Sequence, residues 1–197
     1  MFFFPPDPPQ EGDSAPQQHV SPPWWQPPED EFPLLFPIAE RLATGENAAI
    51  FVREARVYSI GVDVVIDRRM RRGELSERDW QLLQWGGQPF FGGQDPERVR
   101  YGLALGDGQR LLADAGPGLP FGDDEPTGHT LAPSGGGGGG SDRSYRWEDG
   151  LWLWPLPPAG PIEVITQWPA QGIPESRLVV DSAPLLELAR RVRPIWD

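Results

Sequence analysis

Residues 147–168 read WEDGLWLWPLPPAGPIEVITQW, and the fold turns on how this stretch is placed. Trp152 and Trp154 stand two positions apart, the spacing that puts two side chains on one face of a β-strand about 6.7 Å from each other. Leu151 and Leu153 take the opposite face, so both sides of the strand need cover. Pro155, Pro157, Pro158 and Pro161 interrupt the run, and Ile162, Val164 and Ile165 resume it toward Trp168. The pattern predicts one buried strand turning over into a second. Its indoles form either a core plug or an exposed aromatic platform. Apolar residues on both faces favour the core, where a large apolar side chain contributes about 1.5–3 kcal/mol.

Upstream, residues 48–58 and 60–67 are rich in Val, Ile, Phe and Tyr and read as two strands. In the second, Ile60, Val62, Val64 and Ile66 alternate with Gly61, Asp63 and Asp67, which predicts one buried face and one wet face. Arg68, Arg69, Arg71 and Arg72 follow as a solvated strand end. Ser76 with Asp79 resembles a capping box and opens a short helix carrying Trp80, Leu82, Leu83 and Trp85, stopped by Gly86 and Gly87. Val99, Tyr101, Leu103 and Leu105 alternate inward, and Asp107-Gly108 turns that strand into residues 109–113. Residues 130–132 suit a brief strand. The six glycines at 135–140 lie in a segment, 133–143, read as a flexible surface loop, because glycine loses the most conformational freedom on ordering.

Strands at 144–155, 162–168 and 176–180 complete the pattern, and residues 34–42 add a short helix or an edge strand. A terminal helix over 182–193, capped by Asp181 or Ser182, presents Leu185, Leu188, Ala189 and Val192 on one face. The expected fold is mainly β: an immunoglobulin-like antiparallel β-sandwich of seven or eight strands with a short middle helix and a C-terminal helix. A partly open barrel is the alternative.

A chain of 197 residues supports one domain with a tail, and 24 glycines and 25 prolines favour short strands and many turns. Residues 1–33, rich in proline and acids, read as an extended tail, leaving 34–197 as the single domain. Inside the tail, Trp24 and Trp25 sit between proline pairs. They either present two indoles on a polyproline II segment or fold back on the chain's own domain, and the second suits the poor solubility of exposed tryptophan.

The chain has no cysteine, which excludes thiol catalysis, disulfides and cysteine-bound zinc. Its net charge of −12, with every basic residue an arginine, repels a phosphate backbone and argues against nucleic acid. No run reaches the ~18 apolar residues of a membrane span, so a soluble cytoplasmic protein with no membrane partner is expected.

Chemistry-bearing residues are few. Of the two histidines, His19 lies in the tail and His129 stands between Gly128 and Thr130 with no nucleophile motif nearby, so no catalytic residue is assigned. The acidic clusters Glu29-Asp30-Glu31 and Asp123-Asp124-Glu125 lack the alternating spacing of a calcium loop, and neither a metal nor a cofactor is expected. Recognition by aromatics remains, through Trp24, Trp25, Trp152, Trp154 and Trp168. The expected role is a non-catalytic protein-interaction or structural module, contacting another protein or a second copy. A carbohydrate-binding module using Trp152, Trp154 and Trp168 is the alternative, and an enzyme built on His129 comes third.

The stretch from Trp152 to Pro158, continuing through Gly160-Pro161, Trp168-Pro169 and Gly172-Ile173-Pro174-Glu175, resembles a signature of hypothetical proteins from high-GC Gram-positive bacteria. The resemblance implies a natural single domain to which the glycine run belongs. It transfers no activity, cofactor or site residue.

Overall fold

The computed structural model describes residues 21–86, 95–113 and 125–196. Its elements are β1 (Leu34–Thr44), β2 (Ala48–Val57), β3 (Val62–Arg71), α1 (Glu77–Gly86), β4 (Arg100–Ala104), β5 (Arg110–Leu112), β6 (Thr130–Gly140), β7 (Ser144–Trp154), β8 (Pro161–Trp168), β9 (Ile173–Asp181) and α2 (Ala183–Ala189). A five-stranded sheet runs β1-β2-β3-β7-β6 and a four-stranded sheet runs β5-β4-β8-β9. Every pairing is antiparallel. The two sheets form a sandwich, and no barrel closes.

One core fills the space between them. Ile50, Val52, Val64, Ile66, Leu151 and Leu153 come from the large sheet, while Tyr101, Leu103, Val164, Trp168 and Ile173 come from the small one; all are 5 % exposed or less. Leu185 of α2 closes one end.

Two turns stand where the sequence puts them, although Asp107 does not take the positive φ that a type I′ turn at Asp107-Gly108 requires. Between β4 and β5, the Leu105 N–H donates to the Gln109 carbonyl at 2.9 Å, and Gly108 sits at φ +89°, open to glycine and poor for most other residues. At the start of α1, Ser76 Oγ accepts the Asp79 N–H at 3.2 Å and donates to the Asp79 carboxylate at 2.6 Å.

Several expectations need correction. The strands either side of the proline run do not pair with each other: β7 belongs to the large sheet and β8 to the small one. Proline cannot donate to a ladder, so residues 155–160 carry the chain from one sheet to the other. Ser182 fastens this crossing, accepting the Gly160 N–H and donating to the Pro158 carbonyl, each at 2.9 Å.

The outer face of β3 is not wet. Asp63 is 3 % exposed, Val65 0 % and Asp67 5 %. Nor is Arg68 solvated, since it points into the core with 1 % exposure.

The glycine run is not a loop. Residues 135–140 continue β6, paired with β7 from Gly150 to Tyr145. The tail, by contrast, takes the second of its two expected readings and folds back from residue 21 onward: Glu31 bridges to Pro194, and the Ile195 N–H donates to the Asp30 carbonyl at 2.6 Å. Finally, α2 stops at Ala189, and its first N–H, from Ala183, is taken by the Asp181 carboxylate at 3.0 Å while Ser182 is occupied by the crossing. Residues 34–44 resolve as an edge strand, which brings the strand count to nine among the described residues.

Candidate functional site

The five tryptophans singled out by sequence divide between two places. Trp152 and Trp154 lie on the outer face of the large sheet, where the fold-back of the tail covers them. The Trp152 indole N–H donates to the Pro23 carbonyl at 2.8 Å, its ring meets Tyr58 edge-on with centroids 5.5 Å apart, and Trp24 packs on Trp154 at 5.7 Å. Trp152 is fully buried, Trp24 is 8 % exposed, and Trp25 and Trp154 are half-buried. Gly61 serves the same cluster, because a Cβ there would come within 2.4 Å of the Trp152 ring. Trp168 belongs to the other sheet and points into the sandwich, so no platform joins it to Trp152 and Trp154.

Trp168 instead meets a buried ion pair. Arg68 donates through Nε to Asp149 Oδ2 at 2.7 Å and through Nη2 to Oδ1 at 3.3 Å. The Trp147 indole N–H gives Oδ1 a further bond at 2.8 Å, and the Tyr101 hydroxyl, from the opposite sheet, donates to Oδ2 at 2.9 Å. The guanidinium carbon lies 5.8 Å from the Trp147 ring centroid and 5.5 Å from that of Trp168, within cation–π range. Burial, and then the neighbouring Asp149 carboxylate, push the Tyr101 hydroxyl well above its ordinary pKa, which keeps it a donor. With four donated bonds on one carboxylate, this cluster joins the sheets and leaves no open coordination for a substrate.

The outer face of the large sheet carries a second, shallower network. Arg56 reaches Glu148 at 2.9 Å, Glu54 at 3.3 Å and Asp63 at 3.5 Å. Arg69 grips Asp67 with two bonds of 2.9 Å, and Arg146 adds a third. Burial raises the Asp63 pKa above its ordinary value, opposed by the Ser134 hydroxyl, which donates at 2.5 Å, and by Arg56. Beside these residues lies a hollow of about 260 Å³ lined by Arg56, Ser134, Glu148, Gly150 and Gly135–Gly137.

That hollow ends at the edge of the sheet, where β6 pairs with β7 alone among the described residues. Two features govern the edge. The first is steric: a Cβ on Gly138 would come within 2.5 Å of the Trp147 ring and 3.0 Å of Tyr145, and one on Gly140 within 2.7 Å of Tyr145. These two rings, stacked 6.4 Å apart at 18°, lie across the inner side of β6 and require bare backbone beneath them. Gly137 and Gly139 face the other way, with nothing within 4 Å.

The second feature is the direction of the amides. The Ser141 N–H donates to the Ser144 carbonyl at 2.7 Å, and antiparallel ladders alternate bonded with non-bonded pairs. Gly139 (opposite Arg146) and Gly137 (opposite Glu148) are therefore bonded inward to β7. Gly136, Gly138 and Gly140 turn their N–H and C=O groups to the open edge. All six glycines are exposed.

Sequence reasoning missed this edge and the Arg68 cluster. The signal for the edge was present as alternation: Tyr145 and Trp147 share a face beside a strand without side chains. His19, Asp123 and Asp124 lie outside the described residues. His129 is half-buried, its two ring nitrogens placed 3.3 Å from Gln109 Oε1 and 3.1 Å from the Leu156 carbonyl. No group of three metal-ligating side chains gathers among the described residues, and no helix there is long and apolar enough to cross a membrane. Compared with protein families, curated proteins and solved structures, the chain matches none.

Proposed function

We propose that this chain is a non-catalytic interaction module that joins a second copy of itself, edge to edge, through β6. The observation that carries the reading is the exposed glycine edge, with the amides and carbonyls of Gly136, Gly138 and Gly140 turned outward. Natural sheets blunt such edges with charge, proline or a covering element, because an unpaired row of backbone groups is a template for another strand. Pro133 and a bulge between Pro133 and Gly135 interrupt the start of β6, but residues 135–140 carry no such device.

Symmetry favours a second copy over an unrelated strand. A two-fold axis at Gly138 pairs it with itself and pairs Gly136 with Gly140 of the other copy, each pair exchanging two hydrogen bonds. Glycine meets glycine throughout, so neither copy presents a side chain that obstructs the other. Charge does not oppose the approach locally, since Arg53, Arg56, Arg69 and Arg146 are paired with Glu54, Asp63, Asp67 and Glu148 on the adjoining face.

Sedimentation equilibrium on the full chain tests the reading. A monomer–dimer equilibrium is expected. The double substitution Gly137→Glu with Gly139→Glu should abolish it, because each glutamate would face the other copy's glutamate directly across the pair, where like charges repel. In the monomer those positions are open, so the variant should keep its fold and circular dichroism. A monomer at every concentration, or a dimer untouched by the double substitution, overturns the proposal.

A further inference from the structure

The outer face of the small sheet holds a second hollow, of about 320 Å³, at the lower limit of ligand-binding cavities. Gly102 makes it. This residue sits mid-strand in β4, directly opposite Leu112 of β5 and Ile165 of β8. A Cβ there would stand 2.9 Å from the Leu111 carbonyl oxygen, so the sheet is built around its absence. The gap between Leu112 and Ile165 is thereby floored by backbone and walled by aliphatic side chains. Leu112 is 73 % exposed, an apolar surface without cover among the described residues.

Three arginines, Arg100, Arg110 and Arg177, line the same hollow. In a chain of net charge −12, their convergence on one small cavity is a local reversal of sign. Their partners differ. Arg177 is held by Glu163 and Glu175, each at 2.7 Å, and so is largely neutralised. Arg100 spends one nitrogen on the Pro96 carbonyl at 2.9 Å. Arg110 makes no hydrogen bond or ion pair among the described residues, and its fork of donors is available.

We infer that this hollow is a binding site for a small amphipathic carboxylate, with an apolar body of about one ring or a short acyl chain. The body lies over Gly102 between Leu112 and Ile165, and the carboxylate is held by Arg110 with support from Arg100. A guanidinium accepts a carboxylate through two parallel hydrogen bonds, and the low polarity of the neighbouring wall strengthens them. Glu175, also on the rim, is paired with Arg177, so Arg110 and Arg100 are the charges that a ligand meets.

Titration of the full chain with 2-naphthoate, followed by isothermal calorimetry and by chemical-shift changes at Gly102 and Leu112, tests the inference. Saturable one-to-one binding is expected, with the neutral analogue 2-naphthalenemethanol binding at least about tenfold more weakly. Arg110→Gln should cost a similar factor, and Leu112→Gln should weaken binding without disturbing the fold, since both side chains are exposed. No saturable binding, equal affinity for the neutral analogue, or affinity unchanged in both variants would overturn the site.

Discussion

The indole nitrogen of Trp152 donates to the carbonyl oxygen of Pro23 at 2.8 Å, across 129 positions of sequence. This bond, with the contact of Trp24 on Trp154, makes residues 21–28 a cover for the large sheet rather than a free arm.

Removing the cover should be expensive. Trp24→Ala is expected to destabilise the domain by about 3 kcal/mol, the usual range for deleting a large buried aromatic side chain, and deletion of residues 1–28 by more. Urea denaturation followed by far-ultraviolet circular dichroism reads this directly. An unchanged midpoint in both variants would mean that the segment is not a strap.

Asp149 and Tyr101 should differ in cost, though they share a hydrogen bond. Asp149→Ala leaves the Arg68 guanidinium buried without its counter-charge, a loss of about 3–5 kcal/mol. Tyr101→Phe removes one donor from a carboxylate that keeps three, and should cost about 1–2 kcal/mol. Equal losses from the two substitutions would contradict the assignment of Asp149 as the centre of the cluster.

Neighbouring glycines of β6 should respond oppositely to alanine. Gly138→Ala drives a methyl into the Trp147 ring and should destabilise, whereas Gly137→Ala meets open space and should be neutral or stabilising by about 0.4–1 kcal/mol. Thermal unfolding of the two variants distinguishes them. The same sign at both positions would mean that the rings do not dictate the glycines.

Asp63 gives a pH signature. Its folded-state pKa is raised by burial, so the folded state binds more protons than the unfolded one between the ordinary carboxylate pKa and the raised value. The stability it contributes is present below that window and is lost as pH rises through it. Asp63→Asn should therefore raise stability at neutral pH relative to acid, and the gain should fade as pH falls through that window and be gone below the ordinary Asp value. Glu54 works in the opposite direction: the Arg53 hydrogen bond lowers its pKa, so its contribution is present at neutral pH and lost on acidification. Denaturation midpoints of wild type and Asp63→Asn across pH 3–8 check the sign.

Local periodicity was a good guide wherever one face had one chemistry. Val62, Val64 and Ile66 point inward as alternation requires, and the two-sheet sandwich follows from such runs. The same alternation puts Arg68 inside, yet charge argues for solvent, and the counter-charge that favours burial, Asp149, stands on a strand 81 positions away. The glycine run failed for a related reason. Propensity assigns six glycines to a loop, but the rings of Tyr145 and Trp147 need a strand without side chains beside them. Trp152 and Trp168 share an apparent hairpin in the sequence and lie in different sheets, because a proline-rich crossing preserves the hydrophobic pattern while ending the ladder. Nothing local reveals the Gly102 hollow either, since its lining comes from four strands.

Amide hydrogen exchange along β6, resolved by nuclear magnetic resonance at increasing protein concentration, tests the interaction reading most directly. Gly137 and Gly139, bonded to β7, should be protected at every concentration. Gly136, Gly138 and Gly140 should exchange freely in dilute solution and become protected as concentration rises and the second copy pairs with them. Outward amides that exchange at the same fast rate throughout would contradict the account.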